Sequence, residues 1–273
     1  MENKSKRWIN SLIAVWTGVI IIFLFLPMAA VIISSFGKSR YFRFPVKAWS
    51  TKWYDQTINA NLTENLHITS FYVAGCVALV AVILGFFGAL AFARYNWKGR
   101  IFYQRLIMLP IFFPQAVLGL ALLLWFTYVG ILPSWEAAVF AQLVWIAPIV
   151  TLVISIQVYG FDVSQEEAAF DLGANRWQVF REVTMPALAP GIFSGALFAF
   201  LLSWGNFSLS TYTTGADSTV TEWLYTKMSS GYTPMIPTMG AFSVYGSIIL
   251  LFFGYIFLIS YKRRSAKRRL EDK

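Results

Sequence analysis

The sequence predicts an all-α integral membrane protein with six transmembrane helices, on three observations. Of 273 residues, 58% are hydrophobic and 13% charged, whereas a soluble domain has roughly 45–50% apolar and about 25% charged residues. Six stretches are each apolar for about the 20 residues a helix needs to cross the hydrocarbon core. Lys and Arg gather in alternate connections between those stretches, which is the pattern of a chain threaded back and forth through a bilayer.

The six expected spans run from about Ser11 to Phe36, Thr69 to Ala93, Leu106 to Ile131, Ala137 to Tyr159, Ala187 to Tyr212 and Met239 to Tyr261. The N-terminus, Arg94 to Arg105, Asp162 to Glu182 and the tail after Tyr261 hold 16 of the 22 Lys and Arg residues. The opposite connections hold 6. The positive-inside rule then places both termini in the cytoplasm. The expected organisation is a cytoplasmic N-terminus (1–10), a six-helix domain (11–261) and a basic cytoplasmic tail (262–273). The first stretch lacks a small-residue cleavage site and is expected to be retained as a span.

Composition narrows the function classes. The net charge of +9 sits in short segments between apolar runs, which points to anionic lipid and not to nucleic acid. The single cysteine, Cys76, lies in an apolar run and reads as a packing residue. The six stretches contain no Asp, Glu, Lys or Arg, with His67 and Glu136 at span ends. Ion-coupled carriers keep ionisable groups at membrane depth, so energy is expected from outside this chain. An intramembrane enzyme would likewise need acid–base or metal-ligand residues there, and no catalytic or metal-binding residues are expected. Six prolines, Pro27, Pro110, Pro114, Pro148, Pro186 and Pro190, lie in or beside spans, where each bends or interrupts a helix. Pro110 and Pro114 read equally as pathway-shaping breaks or packing kinks.

The connection from Asp162 to Pro186 reads as two short helices joined by a turn. Ser164 with Glu167 fits a capping box, Gly173 a left-handed C′ residue, and Asn175 the cap of a second helix. Trp177, Phe180, Arg181 and Val183 give that helix an amphipathic face, and Pro186 is expected to close it. Ala168 and Ala169 leave one face of the first helix without bulk, so another protein can approach it closely. A linker lying on the membrane surface is the plainer reading of the same pattern.

Glu167-Ala168-Ala169, three residues, Gly173, nine residues, Val183, one residue, and Met185-Pro186 together resemble the EAA loop of permeases in binding-protein-dependent ABC importers. Glu136-Ala137-Ala138 has neither the following Gly nor the Pro and reads as the start of the fourth span. Trp49 to Tyr54, Arg94 to Arg100, Gly160-Phe161-Asp162 and Asp171 to Ala174 are similar to the polyamine-permease branch, which also contains carriers of opines and other small organic solutes. The resemblance implies a type I importer permease fold in a bacterial inner membrane, forming half of a translocation pathway. It implies that Glu167, Ala168, Ala169, Gly173, Arg176 and Pro186 couple to an ATPase. The implied partners are two copies of that ATPase, a second homologous permease or a second copy of this chain, an extracytoplasmic solute-binding protein and membrane lipid. ATP and Mg would belong to the ATPase, with no cofactor on this chain. No Gly-x-x-x-x-Gly-Lys-Ser/Thr loop occurs, and Gly37-Lys38-Ser39 matches only its end.

In that family the fifth span often lines the path, which singles out Trp204, Asn206, Ser208 and Thr211, with Gln115 from the third span. Their uncharged donors and acceptors suit a polar solute, and equally suit hydrogen bonds between helices. Polyamine permeases tend to carry acidic residues near Gly205-Asn206 and this chain does not, so a neutral, zwitterionic or opine-like solute fits as well. A self-contained secondary carrier or channel is the other reading of the chain. Gly191 and Gly195 form a Gly-x-x-x-Gly pair for close packing within the chain or across a dimer.

Overall fold

The computed structural model describes residues 2–41 and 45–271; of residues 2–7, 257, 258 and 261–271 it describes the backbone alone. The basic side chains of the 262–273 tail thus lie outside the described residues. The chain forms α1 (Glu2–Ser35), α2 (Lys52–Ile58), α3 (Asn61–Ala89), α4 (Arg100–Met108), α5 (Gln115–Tyr128), α6 (Trp135–Tyr159), α7 (Ser164–Asp171), α8 (Arg176–Val179), α9 (Met185–Trp204), α10 (Ser210–Thr213), α11 (Val220–Ser230) and α12 (Met235–Glu271). Among the described residues there is no strand beyond an isolated bridge between Gly37 and Trp49.

Five helical stretches are long and apolar enough to cross a membrane unbroken: Trp8–Ser35, Asn61–Arg94, Trp135–Tyr159, Arg176–Trp204 and Met235–Ile256. The expected third span differs. Arg100–Phe112 and Gln115–Tyr128 meet at a bend of 102°. Phe113 is extended and Pro114 precedes α5, as expected because proline drives the residue before it out of helical conformation. The 14 residues of α5 reach only about 21 Å, short of the roughly 30 Å hydrocarbon core. The fifth span is also shorter than expected. Its helix ends at Trp204, and the Asn206 side chain accepts from Leu209 N at 3.0 Å, a local bond that competes with helix continuation.

The chain divides into two compact units. In Met1–Thr63 with Thr226–Leu251, Tyr54 organises the contacts. Its hydroxyl lies 2.7 Å from Ser35 Oγ and its ring stacks on Phe36 at 4.9 Å. The apolar side chains of α1 between Trp8 and Leu26 are almost all exposed, as suits a helix facing lipid or another chain.

In Glu64–Tyr225 with Phe252–Lys273, α6 is the central helix and the most buried of the spans. Ile146, Val150 and Ile154 are wholly buried. Lipid gives no hydrophobic drive for helices to associate, so small residues must let backbones approach. On one side, a Cβ on Gly85 would fall 2.9 Å from Val150 Cγ1. On the other, a Cβ on Gly191 would fall 2.6 Å from Gln157 Cβ, and one on Gly195 3.1 Å from Ile154 Cγ1. The Gly191–Gly195 pair therefore packs within the chain, α9 against α6.

Replacing Gly191 by Val should lower stability by about 1–3 kcal/mol, the usual cost of overpacking. Gly75, with open space beside it, should accept Ala with no loss. Thermal unfolding of the two purified variants in detergent checks the contrast.

Candidate functional site: a clamped loop between two spans

The 162–186 loop is built from local caps. Asp162 Oδ1 accepts from Ser164 N at 3.0 Å and so starts α7. The expected Ser164–Glu167 box does not form, because Ser164 is already the first helical residue and Val163 holds the cap position without a side-chain bond. Gly173 has φ +85°. Its N–H donates to Phe170 O at 2.9 Å and Ala174 N donates to Ala169 O at 3.0 Å, the paired bonds of a Schellman ending. Asn175 caps α8 as expected, and it does so reciprocally. Its Oδ1 accepts from Gln178 N at 2.9 Å, and Gln178 Oε1 accepts from Asn175 N at 2.8 Å.

Pro186 does not close the second helix. A π turn, Phe180–Thr184, leads from α8 straight into α9, with Met185 N donating back to Phe180 O. Pro186 directly follows that π turn inside the continuous helical stretch Arg176–Trp204. The amphipathic face also shifts. Val179 and Thr184 are buried, Phe180 and Val183 are half-buried, and Trp177 and Arg181 are exposed.

Glu166 holds the loop in place. It is 5% exposed, while its neighbour Glu167 is exposed. Arg94 Nη1 donates to Glu166 Oε1 at 2.8 Å, Arg94 Nη2 donates to Oε2, and Thr184 Oγ1 donates to Oε1. Arg94 ends a second π turn, Leu90–Arg94, that continues α3. One carboxylate thus joins α7 to the ends of two spans, α3 and α9. Burial raises the Glu166 carboxyl, but the bonds from Arg94 and Thr184 together outweigh burial and hold it below the ordinary range. Beside this clamp lies a cavity of about 420 Å³, lined by Phe86, Leu90, Phe170, Val179 and Phe180 among others.

Of the coupling residues expected from sequence, Glu167, Ala168, Gly173, Arg176 and Pro186 are exposed and Ala169 is half-buried. Leu172 is 90% exposed and Trp177 66%, so the loop presents bulky apolar side chains beside the Ala168 face.

The expected pathway residues fall in different surroundings. Asn206 is buried and its side chain is spent on Leu209 N. Trp204 packs its ring on Phe71 at 5.0 Å, and its carbonyl accepts from Thr221 Oγ1 at 2.6 Å. Ser208 and Gln115 are half-buried, and Thr211 is exposed with its hydroxyl on Phe207 O at 2.7 Å. A Cβ on Gly119, one turn along α5 from Gln115, would lie 2.9 Å from Tyr212 and 3.2 Å from Ser208 O. That close approach brings α5 onto the 208–212 segment.

Residues 81–269 match the family described as binding-protein-dependent transport system inner membrane component. The chain belongs to that family. It is 30% identical over 269 residues to the putrescine transport system permease protein PotI of Escherichia coli (strain K12), covering 94% of each chain. It is 27% identical over 234 residues to the spermidine/putrescine transport system permease protein PotC of Haemophilus influenzae, covering 85% of this chain and 91% of that one. A bacterial ABC transporter involved in the import of alginate shares the fold, with TM-score 0.69, 15% identity and coverage of 96% and 98%. The permease is a multi-pass inner-membrane protein with the importer permease fold.

Sequence reasoning passed over three residues of the permease that the fold makes central. Glu166 stands beside Glu167, and nothing local separates their roles. Gln142 is wholly buried in α6, where Nε2 donates to Ser210 Oγ at 2.9 Å and Oε1 accepts from Ser203 Oγ. Glu222 is buried and accepts from Thr214 Oγ1 at 2.7 Å and Thr219 N at 3.4 Å. Burial pushes the Glu222 carboxyl up. Only Glu222 had a local signal, the Thr219-x-x-Glu222 spacing of a capping box.

The clamp has a pH signature. Because the Glu166 carboxyl is depressed in the folded state, its stabilisation is complete above the unfolded value of about 4.3 and is lost as pH falls through the lower folded value. Glu166→Gln should therefore flatten the acid limb of stability below about pH 4.3. At neutral pH it should cost on the order of 1 kcal/mol, because solvent reaching Arg94 screens the pair. Thermal unfolding at stepped pH reads both effects.

Proposed function

We propose that this permease forms half of the translocation pathway of an ATP-driven importer for a small polar organic solute. An extracytoplasmic binding protein delivers the solute. A separate ATPase, present in two copies, docks on the 162–186 loop from the cytoplasm and uses ATP and Mg. A second homologous permease, or a second copy of this chain, completes the pathway. The chain itself carries out no catalysis.

The observation that carries this reading is the loop surface. Between two spans stand α7 and α8, capped at both joints, with Glu167 and Ala168 exposed beside Leu172 and Trp177. Exposed apolar groups on an otherwise satisfied, rigid turn mark a protein-binding surface. Glu167 and Arg176 add charge at its rim, and Gly173 fixes the angle between the two helices.

Polyamines are the first solute class to test, followed by opine-like and amino-acid-like compounds, on the strength of the PotI and PotC relatives. Glu222 bears on that choice, because a polycation favours a pathway with a nearby carboxylate. It is joined by hydrogen bonds through Thr214 and Ser210 to Asn206, the position near which polyamine permeases tend to carry acids. In this reading Trp204, Ser208, Thr211 and Gln115 contribute uncharged contacts to the solute, and Asn206 supports them from behind.

A photo-crosslinking residue at position 172 should capture a P-loop ATPase from the native host. Gly173→Val should lower that capture at least about tenfold, because a β-branched side chain at φ +85° costs roughly 1–2 kcal/mol and tilts α8. Gly173→Asn, which tolerates the left-handed region, should retain most of it. Uptake of radiolabelled putrescine by membrane vesicles of the host, lost on deleting this permease, would assign the polyamine class. Equal capture by all three proteins would overturn the docking assignment.

A further inference from the structure

We infer that Glu166 is a positioning residue that carries motion of the docking loop into the transmembrane helices, with the two π turns as the points that yield. This inference rests on the importer reading above.

Three observations support it. First, the link is specific. Arg94 engages Glu166 through two nitrogens, and Thr184 adds a hydroxyl to the same carboxylate. A bidentate guanidinium–carboxylate pair resists rotation as well as separation. Second, an open space borders both α7 and the second span. The cavity of about 420 Å³ opens beside the pair, with Phe86, Phe87 and Leu90 of the second span on one wall and Phe170 of α7 on the other. The ion pair spans that gap, so displacing α7 must pull on Arg94. Third, both transmembrane partners of Glu166 end π turns, Leu90–Arg94 and Phe180–Thr184. Such turns hold one residue more than the helix needs and concentrate at functional sites. Each is a place where a span can change its winding at low cost without unfolding.

The arrangement also divides labour between neighbours. On α7, Glu167 points outward to the docking surface while Glu166 points inward to the spans. Glu167 meets the partner and the residue before it transmits. The second span and the fifth span both pack on α6, through Gly85 and through Gly191 and Gly195. A pull on Arg94 and Thr184 is therefore delivered to both flanks of the central helix.

The test uses the assembled transporter in lipid nanodiscs, with Cys76→Ser and spin labels at Gln165→Cys on α7 and Lys98→Cys beyond the second span. Both label positions are exposed. With the clamp intact, the distance distribution should stay narrow with and without ATP. Glu166→Gln and Arg94→Glu should each roughly double its width without nucleotide and keep it broad when ATP is added, since the charge-assisted bonds that fix the distance are lost. The exchange Arg94→Glu with Glu166→Arg should narrow it again, which a merely structural loss would not allow. A Glu166→Gln distribution as narrow as the parent in both states would overturn the inference, as would an exchange no better than its single variants. Recovery of the ATPase with each variant is scored separately. A parent chain that recovers no ATPase would overturn the importer reading, and the nucleotide-free widths would still decide whether the pair holds α7.

Discussion

A buried carboxylate must be paired, and that constraint sets the geometry of the loop. Removing an ionised carboxyl from water costs several kcal/mol unless charge and hydrogen bonds replace the solvent. Glu166 obtains both from Arg94 and Thr184. To reach them, α7 must lie over the ends of the second and fifth spans. Its next residue, Glu167, is then turned away from the spans, and the alanines that follow it leave a face that is open to approach. The caps at Asp162, Gly173 and Asn175 give the loop its internal shape. The clamp gives that shape its orientation.

Inside the bilayer a different economy operates. The spans are apolar on all sides, so burial alone does not choose a partner for each. Close approach does, and α6 is the helix approached on two sides by glycines. Gln142 adds direction, since its amide satisfies Ser203 on α9 and Ser210 on α10 at once. An amide with both ends engaged ties together the two helices that flank the break at Gly205. Ser203 and Asn206 are thereby committed to holding the chain together.

The two proline-linked features diverge for a common reason. Pro114 follows an extended residue and breaks the third crossing by 102°. Pro186 follows a π turn inside a continuous helical stretch and breaks nothing. The ring is the same; the backbone before it differs, extended at Phe113 and π-wound at Phe180–Thr184. A count of prolines in apolar runs therefore says where a bend is possible, while the neighbouring dihedrals say where one occurs.

The sequence alone determined the membrane class, five of the crossings, the capped turn at Gly173-Ala174-Asn175 and the family. Those features depend on composition and on residues a few positions apart, which a linear reading captures. Only the tertiary structure decided that Glu166 and not Glu167 is the buried partner of Arg94, 72 positions away. It also turned Asn206 inward and brought Gln142 to Ser210. These are pairings between distant segments, and two adjacent glutamates or one polar residue in an apolar run look alike until helix packing selects which faces protein. The Gly191–Gly195 pair shows the same division. Its spacing announced a close contact, and only the folded chain supplied Gln157 and Ile154 as the surface that meets it.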